Sequence, residues 1–340
     1  MPQDCEKRDV FMDSFIFALS AVAPIVLLVA LGYFLKRMKL MDGKFSKDAN
    51  KLVFRVFMPT MLFRNIYHMG SLGDVDFGFV LYVSIALIVI FLVAIPFSIM
   101  VAKKKNGRGV LVQAAFRSGY SLIGIPLAAS LYGQAGAEAA TILSAAVIPI
   151  FNILAVISLT ALGSDSGEKP SVKSILLGIL KNPLILGIAA GLVCVLVRPL
   201  LDKVDISFRL GQIKPLFEVV EYVAELAIPM ALLVLGAQFE LSAVAELKRE
   251  ILFGTVVRTV IVPLIAIGIA FFFMRNQFEA AHFACFVSVF ATPVAMTTVP
   301  MAQEMDGDAV LAGQLVVWST LVSAFTMFLF TFVLRLAGAF

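Results

Sequence analysis

Ten apolar runs alternate with short polar segments along the chain, at residues 14–35, 51–69, 77–101, 110–132, 138–162, 182–200, 216–239, 251–274, 279–303 and 309–336. About 20 apolar residues in helical conformation cross a bilayer core. The pattern therefore predicts an all-α integral membrane protein of ten transmembrane helices. The second run, KLVFRVFMPTMLFRNIYHM, is the most polar and carries Arg55, Arg64 and Asn65. Residues 171–181 read as an amphipathic lead-in to the sixth run, ending at Asn182-Pro183. Residues 1–12 read as a polar tail, with either Met1 or Met12 as the start. No cleavable signal is expected, because the first run has the length of a full span and no A-x-A site near its end.

Composition agrees with the pattern. The chain is 61% hydrophobic and 15% charged, with a mean hydropathy of +0.99, whereas a soluble domain carries about 25% charge. The net charge of +4 calls for no nucleic acid, because the positive residues gather in short loops. Lys36, Arg37, Lys39, Lys44 and Lys47 follow the first run; Lys103, Lys104, Lys105 and Arg108 follow the third. Lys169 and Lys173 follow the fifth, and Lys248 and Arg249 the seventh, while the loops after runs two and four have no Lys or Arg. Positive loops stay inside, which puts the odd-numbered loops in the cytoplasm and both termini outside. The sixth loop, with Arg198, Lys203, Arg209 and Lys214, is an exception. Cys5, Cys194 and Cys285 lie far apart and form no metal or disulfide pattern.

Internal similarity follows. IPLAASLYG at 125–133 and VPMAQEMDG at 299–307 share [IV]-P-[LM]-A-x-x-x-x-G, with prolines 174 residues apart. FMPTML around Pro59 and AIPMAL around Pro229 are 170 apart. A repeat of five spans is odd in number, so its second copy, residues 174–340, enters the membrane from the opposite face to the first, residues 13–162. The segment 163–173 links them. Such inverted repeats build many secondary transporters, whose sites lie where broken helices meet.

Proline removes one helical hydrogen bond and clashes with the carbonyl four residues back, damage that water cannot repair in hydrocarbon. Pro126 in the fourth span, and Pro293 with Pro300 in the ninth, are therefore the expected breaks, the alternative being kinks. A charge at mid-bilayer costs ~2.5–3.5 kcal/mol on insertion scales and needs a partner or water. Arg117, Arg258 and Glu304 sit in the inner half by this topology. Arg117 either pairs with Glu304 or attracts an anion and gates the inner vestibule. Arg55 and Arg64 are expected to reach the interface. Glu218, Glu221 and Glu225 share one helix face; the first two fit a solvated helix end, and Glu225 is the candidate for proton coupling. Asn152 either bonds another helix or contacts substrate. GIAAG at 187–191 reads as a packing face. No P-loop, zinc-protease motif or nucleophile elbow is present, so neither ATP hydrolysis nor an enzyme is expected, and no cofactor.

Several stretches together resemble the auxin efflux carrier family and its prokaryotic relatives. They are LGYFLKRMKLMD, NKLVFRVFMPTMLF, FRSGYSLIGIPLAASLYG, KNPLILGIAAGL, LAIPMALLVLGA and TPVAMTTVPMAQEMDGDAVLAGQLVVWSTLVSAFT. The resemblance covers roughly residues 13–336. It implies two inverted five-helix repeats with spans four and nine crossing at their prolines, and a scaffold of spans one, two, six and seven. It also implies a small organic anion as substrate, such as malate, malonate or an auxin-like acid, carried across the cell inner membrane by alternating access. Carried over by position, the substrate residues are Gly119, Tyr120, Ser121, Pro126, Asn152, Pro293 and Pro300; Arg117, Glu304 and Glu225 stay, from the reading of embedded charges, in gating or charge roles. Many relatives have Asn where this chain has Gly119, which counts against an auxin-like binding mode. Proton or sodium coupling and a homodimer are further expectations. A sodium-coupled symporter of the bile-acid type and a non-transporting membrane sensor are the alternatives.

Overall fold

Asp42, Asp76 and Asp308 each turn a carboxylate onto the N–H three residues ahead, at 2.6, 3.1 and 2.9 Å. Each thereby satisfies a donor that the first helical turn leaves open. The helices that they start are α2 over 43–67, α3 at Phe77–Val101 and α12 at Ala309–Leu336. Before them runs α1 over 22–37. Between them lie α4 (Lys105–Phe116), α5 (Tyr120–Leu162), α6 (Val172–Lys181) and α7 (Pro183–Lys203). Then come α8 (Lys214–Gln238), α9 (Lys248–Phe273), α10 (Ala280–Phe290) and α11 (Thr298–Glu304). The computed structural model describes residue 20 and residues 22–68, 76–163, 172–203 and 209–339. The expected tail at 1–12 and most of the 163–173 linker lie outside the described residues.

Among the described residues the chain is helical, and six helices (α3, α5, α7, α8, α9 and α12) are long and apolar enough to cross a membrane. Their outward faces are apolar: Leu81, Ile85, Val89 and Leu92 on α3 are exposed, as are Leu264 and Ile265 on α9. Such faces suit acyl chains rather than water. The boundary expected between runs four and five is a kink inside α5. There Tyr132 leaves helical geometry and Gly133 takes a positive φ of 57°, a conformation that glycine adopts without a Cβ penalty.

Helices α1, α2, α7 and α8 pack on one another through small residues. Gly32 of α1 lies against the Leu233 backbone of α8, and Gly236 of α8 against the Val29 carbonyl of α1. Gly187 of α7 meets the Pro59 backbone, and Gly191 lies beside Ile66, so the GIAAG face packs on α2. Small residues allow this approach, which drives helix association in lipid. The other group includes α3, α4, α5 and α10, packed side by side, with α12 against α9 and α11.

The prolines act differently from expectation. Three of them each follow a π-helical turn: Val53–Phe57 before Pro59, Tyr120–Gly124 before Pro126, and Val257–Ile261 before Pro263. In each, the residue preceding proline donates its N–H to the carbonyl five residues back: Met58 to Val53, Ile125 to Tyr120 and Val262 to Val257. Widening one turn moves the carbonyl that proline's ring would meet. Pro126 therefore does not break its helix. The break lies at 117–119, between α4 and α5, and its counterpart lies at 291–297, between α10 and α11. Pro293 falls inside that second break. Pro300 sits in the first turn of α11, where N–H groups have no intrahelical partner in any case.

Candidate functional site

The two breaks meet. Residues 117–119 run antiparallel to 293–295, with Ser118 bridged to Val294. Gly119 N–H donates to the Pro293 carbonyl at 2.8 Å, and Ala295 N–H to the Arg117 carbonyl at 3.1 Å. Val294 N–H donates to Ser319 Oγ of α12 at 3.1 Å. Non-helical backbone at membrane depth survives where protein supplies such partners. Interrupting two helices here leaves four half-helix ends around one point.

The ends divide by charge. The carbonyl ends of α4 and α10 point to Arg258 of α9, whose side chain is fully buried. Its guanidinium donates to the carbonyls of Ala115 (3.2 Å), Phe116 (3.3 Å), Val289 (2.6 Å), Phe290 (2.9 Å) and Thr292 (2.8 Å). The N-terminal ends, at Tyr120 of α5 and Thr298 of α11, carry the positive partial charge of their helices. They flank a cavity of about 50 Å³ lined by Arg117, Ser118, Gly119, Ser121, Asn152 and Thr297, with Met58, Met61, Leu122 and Ile228 among its apolar walls.

Arg117 is the one charged group in that lining, and it is 3% exposed. Its guanidinium donates to Gln113 Oε1 (3.2 Å), Met301 Sδ (2.7 Å) and Asn152 Oδ1 (2.9 Å). Asn152 is held in turn by donating Nδ2–H to the Ile148 carbonyl at 2.8 Å. Among the described residues no carboxylate lies within ion-pair distance of Arg117. The expected pairing with Glu304 is thus replaced: Glu304 lies 3.6 Å from Arg55 of α2, because α11 runs away from the crossing and carries its last residue to another end of the molecule. Ser118 Oγ is buried and lacks a hydrogen-bond partner, which leaves a hydroxyl unspent beside Arg117.

Four of the residues expected from sequence come together in this lining: Arg117, Gly119, Ser121 and Asn152. Tyr120 does not; it is buried, and its hydroxyl donates to the Ala140 carbonyl at 2.7 Å, tying the start of α5 to the segment beyond its kink. Pro293 contributes its carbonyl to the crossing, and Pro300 is buried within α11. Pro126 and Glu225 line a second cavity of about 570 Å³, together with Arg64 and Pro229. The two cavities share Met61, Leu122 and Ile228, so these apolar side chains form the partition between them. Arg64 does not simply reach outward. It pairs with Glu221 at 3.2 Å, and Glu221 also meets His68 Nε2 at 2.7 Å, so Glu221 is a partnered residue and not only a solvated helix end.

Ser118 and Thr297 were missed from sequence. Both stand in runs of small and hydroxylated residues, RSGYS and TPVAMTT, and that polarity within apolar stretches was the available signal.

A profile of membrane transport proteins matches residues 17–331. The chain belongs to that family. It is the family of the auxin efflux carriers, in agreement with the motifs read from the sequence. One relative is an uncharacterized transporter of Methanothermobacter thermautotrophicus, 22% identical over 344 residues, which cover 94% of this chain and 99% of the relative. Family membership and the six long apolar helices make this a multi-pass membrane transport protein.

Proposed function

We propose that this protein is a secondary carrier for a small organic anion, a mono- or dicarboxylate, bound at the crossing between α4–α5 and α10–α11. The observation that carries the reading is Arg117, buried beside the cavity with only neutral partners among the described residues. A buried guanidinium without a carboxylate is costly, and an anionic ligand supplies the missing charge. Ser118 Oγ and the N-terminal end of α5 add donors suited to a carboxylate. Gly119 presents no side chain to that ligand.

Alternating access is supported by the sizes of the cavities. The space of about 50 Å³ at the crossing is small beside the second cavity, which fits a site that widens when a carboxylate binds. The 570 Å³ cavity beyond Met61, Leu122 and Ile228 is the approach from one side, and the Arg55–Glu304 pair closes the other. In this reading residues 13–162 and 174–340 are inverted five-helix repeats, making ten crossings of the cytoplasmic membrane with both termini outside. The group α1, α2, α7 and α8 is the frame against which the crossing moves.

Protein reconstituted in liposomes is expected to move at least one labelled solute from a panel of mono- and dicarboxylates. If none moves while a control carrier in the same lipid works, the proposal fails.

A further inference from the structure

Arg258 donates five hydrogen bonds, all to backbone carbonyls at or just past the C-terminal ends of two different half-helices. Those carbonyls lack intrahelical partners and carry the negative partial charge of α4 and α10. In carriers built from broken helices, such carbonyls are the groups that coordinate a driving cation such as Na⁺. Here they are taken by a permanently charged planar group with five N–H donors. The side chain issues from the π-helical turn Val257–Ile261 of α9, whose wider turn is the setting from which it reaches both ends.

We propose that Arg258 is a tethered cation: it holds the two carbonyl ends together and fills the position that a coupling sodium ion would take. The crossing then keeps positive groups on both sides, Arg258 at the carbonyl ends and Arg117 with the N-terminus of α5 at the cavity. That arrangement repels a free cation and leaves a vacant charge only for an anion. Arg258 is a positioning residue, since its bonds go to backbone and it does not line the cavity. The consequence for transport, that it needs no sodium, rests on the carrier reading above; the cation-site statement does not.

The test uses the full chain in detergent, and its first arm needs no substrate. Thermal unfolding of the wild-type protein is followed in Na⁺ and in choline at equal ionic strength, with the same Tm expected in both. A Na⁺-specific rise in Tm overturns the proposal. Arg258→Ala opens the five carbonyls, so its Tm falls, and millimolar guanidinium raises it where the wild type does not respond. A variant that melts with the wild type and ignores guanidinium overturns the proposal as well. Where Arg258→Ala yields no folded protein, Arg258→Lys replaces it; a single ammonium has three donors for five carbonyls, so its Tm is expected to lie below that of the wild type. In liposomes, carboxylate flux is expected at the same initial rate in Na⁺ and in choline. Flux that collapses in choline overturns the tethered-cation proposal. Absence of flux in both media counts against the carrier reading alone, and the unfolding result then decides for Arg258.

Discussion

Arg55 of α2 lies 3.6 Å from Glu304, the last residue of α11, and the pair links the glycine-packed group of α1, α2, α7 and α8 to the broken element. Arg55 has 68% of its side chain exposed, while Glu304 has 10%. An ion pair this open to solvent contributes at most about 1 kcal/mol. Its importance lies in what it joins, because the two partners belong to groups that must separate if the crossing opens on this side. Glu304 also ends its helix, where a negative side chain is unfavourable unless a cation such as Arg55 stands nearby.

Glu304→Gln is expected to change stability by less than about 1 kcal/mol and yet to raise access from this end. The measurement is the rate at which a membrane-impermeant maleimide labels a cysteine placed at Ser46, which lines the cavity at the lysine-rich end with Gln303. Equal labelling rates in the two backgrounds contradict a latch.

The sequence made this pair hard to foresee, although both residues stood out. Arg117 and Glu304 were matched because both are charges in apolar runs, but spacing along the chain does not tell which way a seven-residue half-helix points. Two broken elements were expected at the prolines, and of Pro126, Pro293 and Pro300 only Pro293 falls inside a break. The position of the first break was not legible, because a π-helical turn absorbs Pro126 and the chain opens at 117–119 instead. Arg258 announced itself as a charge in an apolar run, yet its partners are five carbonyls, and backbone acceptors leave no mark on a sequence. Arg117 and Asn152 were legible as polar side chains in apolar runs, whereas Gly119 and Ser121 followed only from the resemblance to the auxin efflux carriers.

Glycines 119 and 124 separate site from packing. A Cβ at Gly119 meets nothing nearer than the Pro293 carbonyl at 3.7 Å, whereas one at Gly124 falls 2.6 Å from Tyr120 Cδ2 and 2.8 Å from the Ser288 carbonyl. Gly119→Ala is therefore expected to keep the wild-type Tm. Gly124→Ala is expected to destabilise by about 1–3 kcal/mol, as overpacking does. Thermal unfolding of the two purified variants decides; the reverse order contradicts the geometry.

Pro126→Ala removes the ring that the π-helical turn accommodates, but it leaves the Gly119 to Pro293 bond in place. The crossing is thus expected to persist, with a stability change within about 1 kcal/mol and carboxylate flux within threefold of wild type (roughly 0.6 kcal/mol). A loss of flux beyond tenfold at unchanged Tm contradicts a structural role for Pro126 and returns the functional break to that residue.

The most direct test of the anion site compares carboxylate flux and carboxylate-induced Tm shifts for wild type, Arg117→Lys and Arg117→Gln. Hydrogen bonds to a charged group contribute about 1.5–3 kcal/mol, or roughly ten- to a hundredfold in affinity. Arg117→Gln, folded and monodisperse, is expected to lose the Tm shift and at least about tenfold in flux, with Arg117→Lys retaining part of both. Flux and Tm shift at wild-type levels in Arg117→Gln would contradict the assignment of the crossing as the anion site.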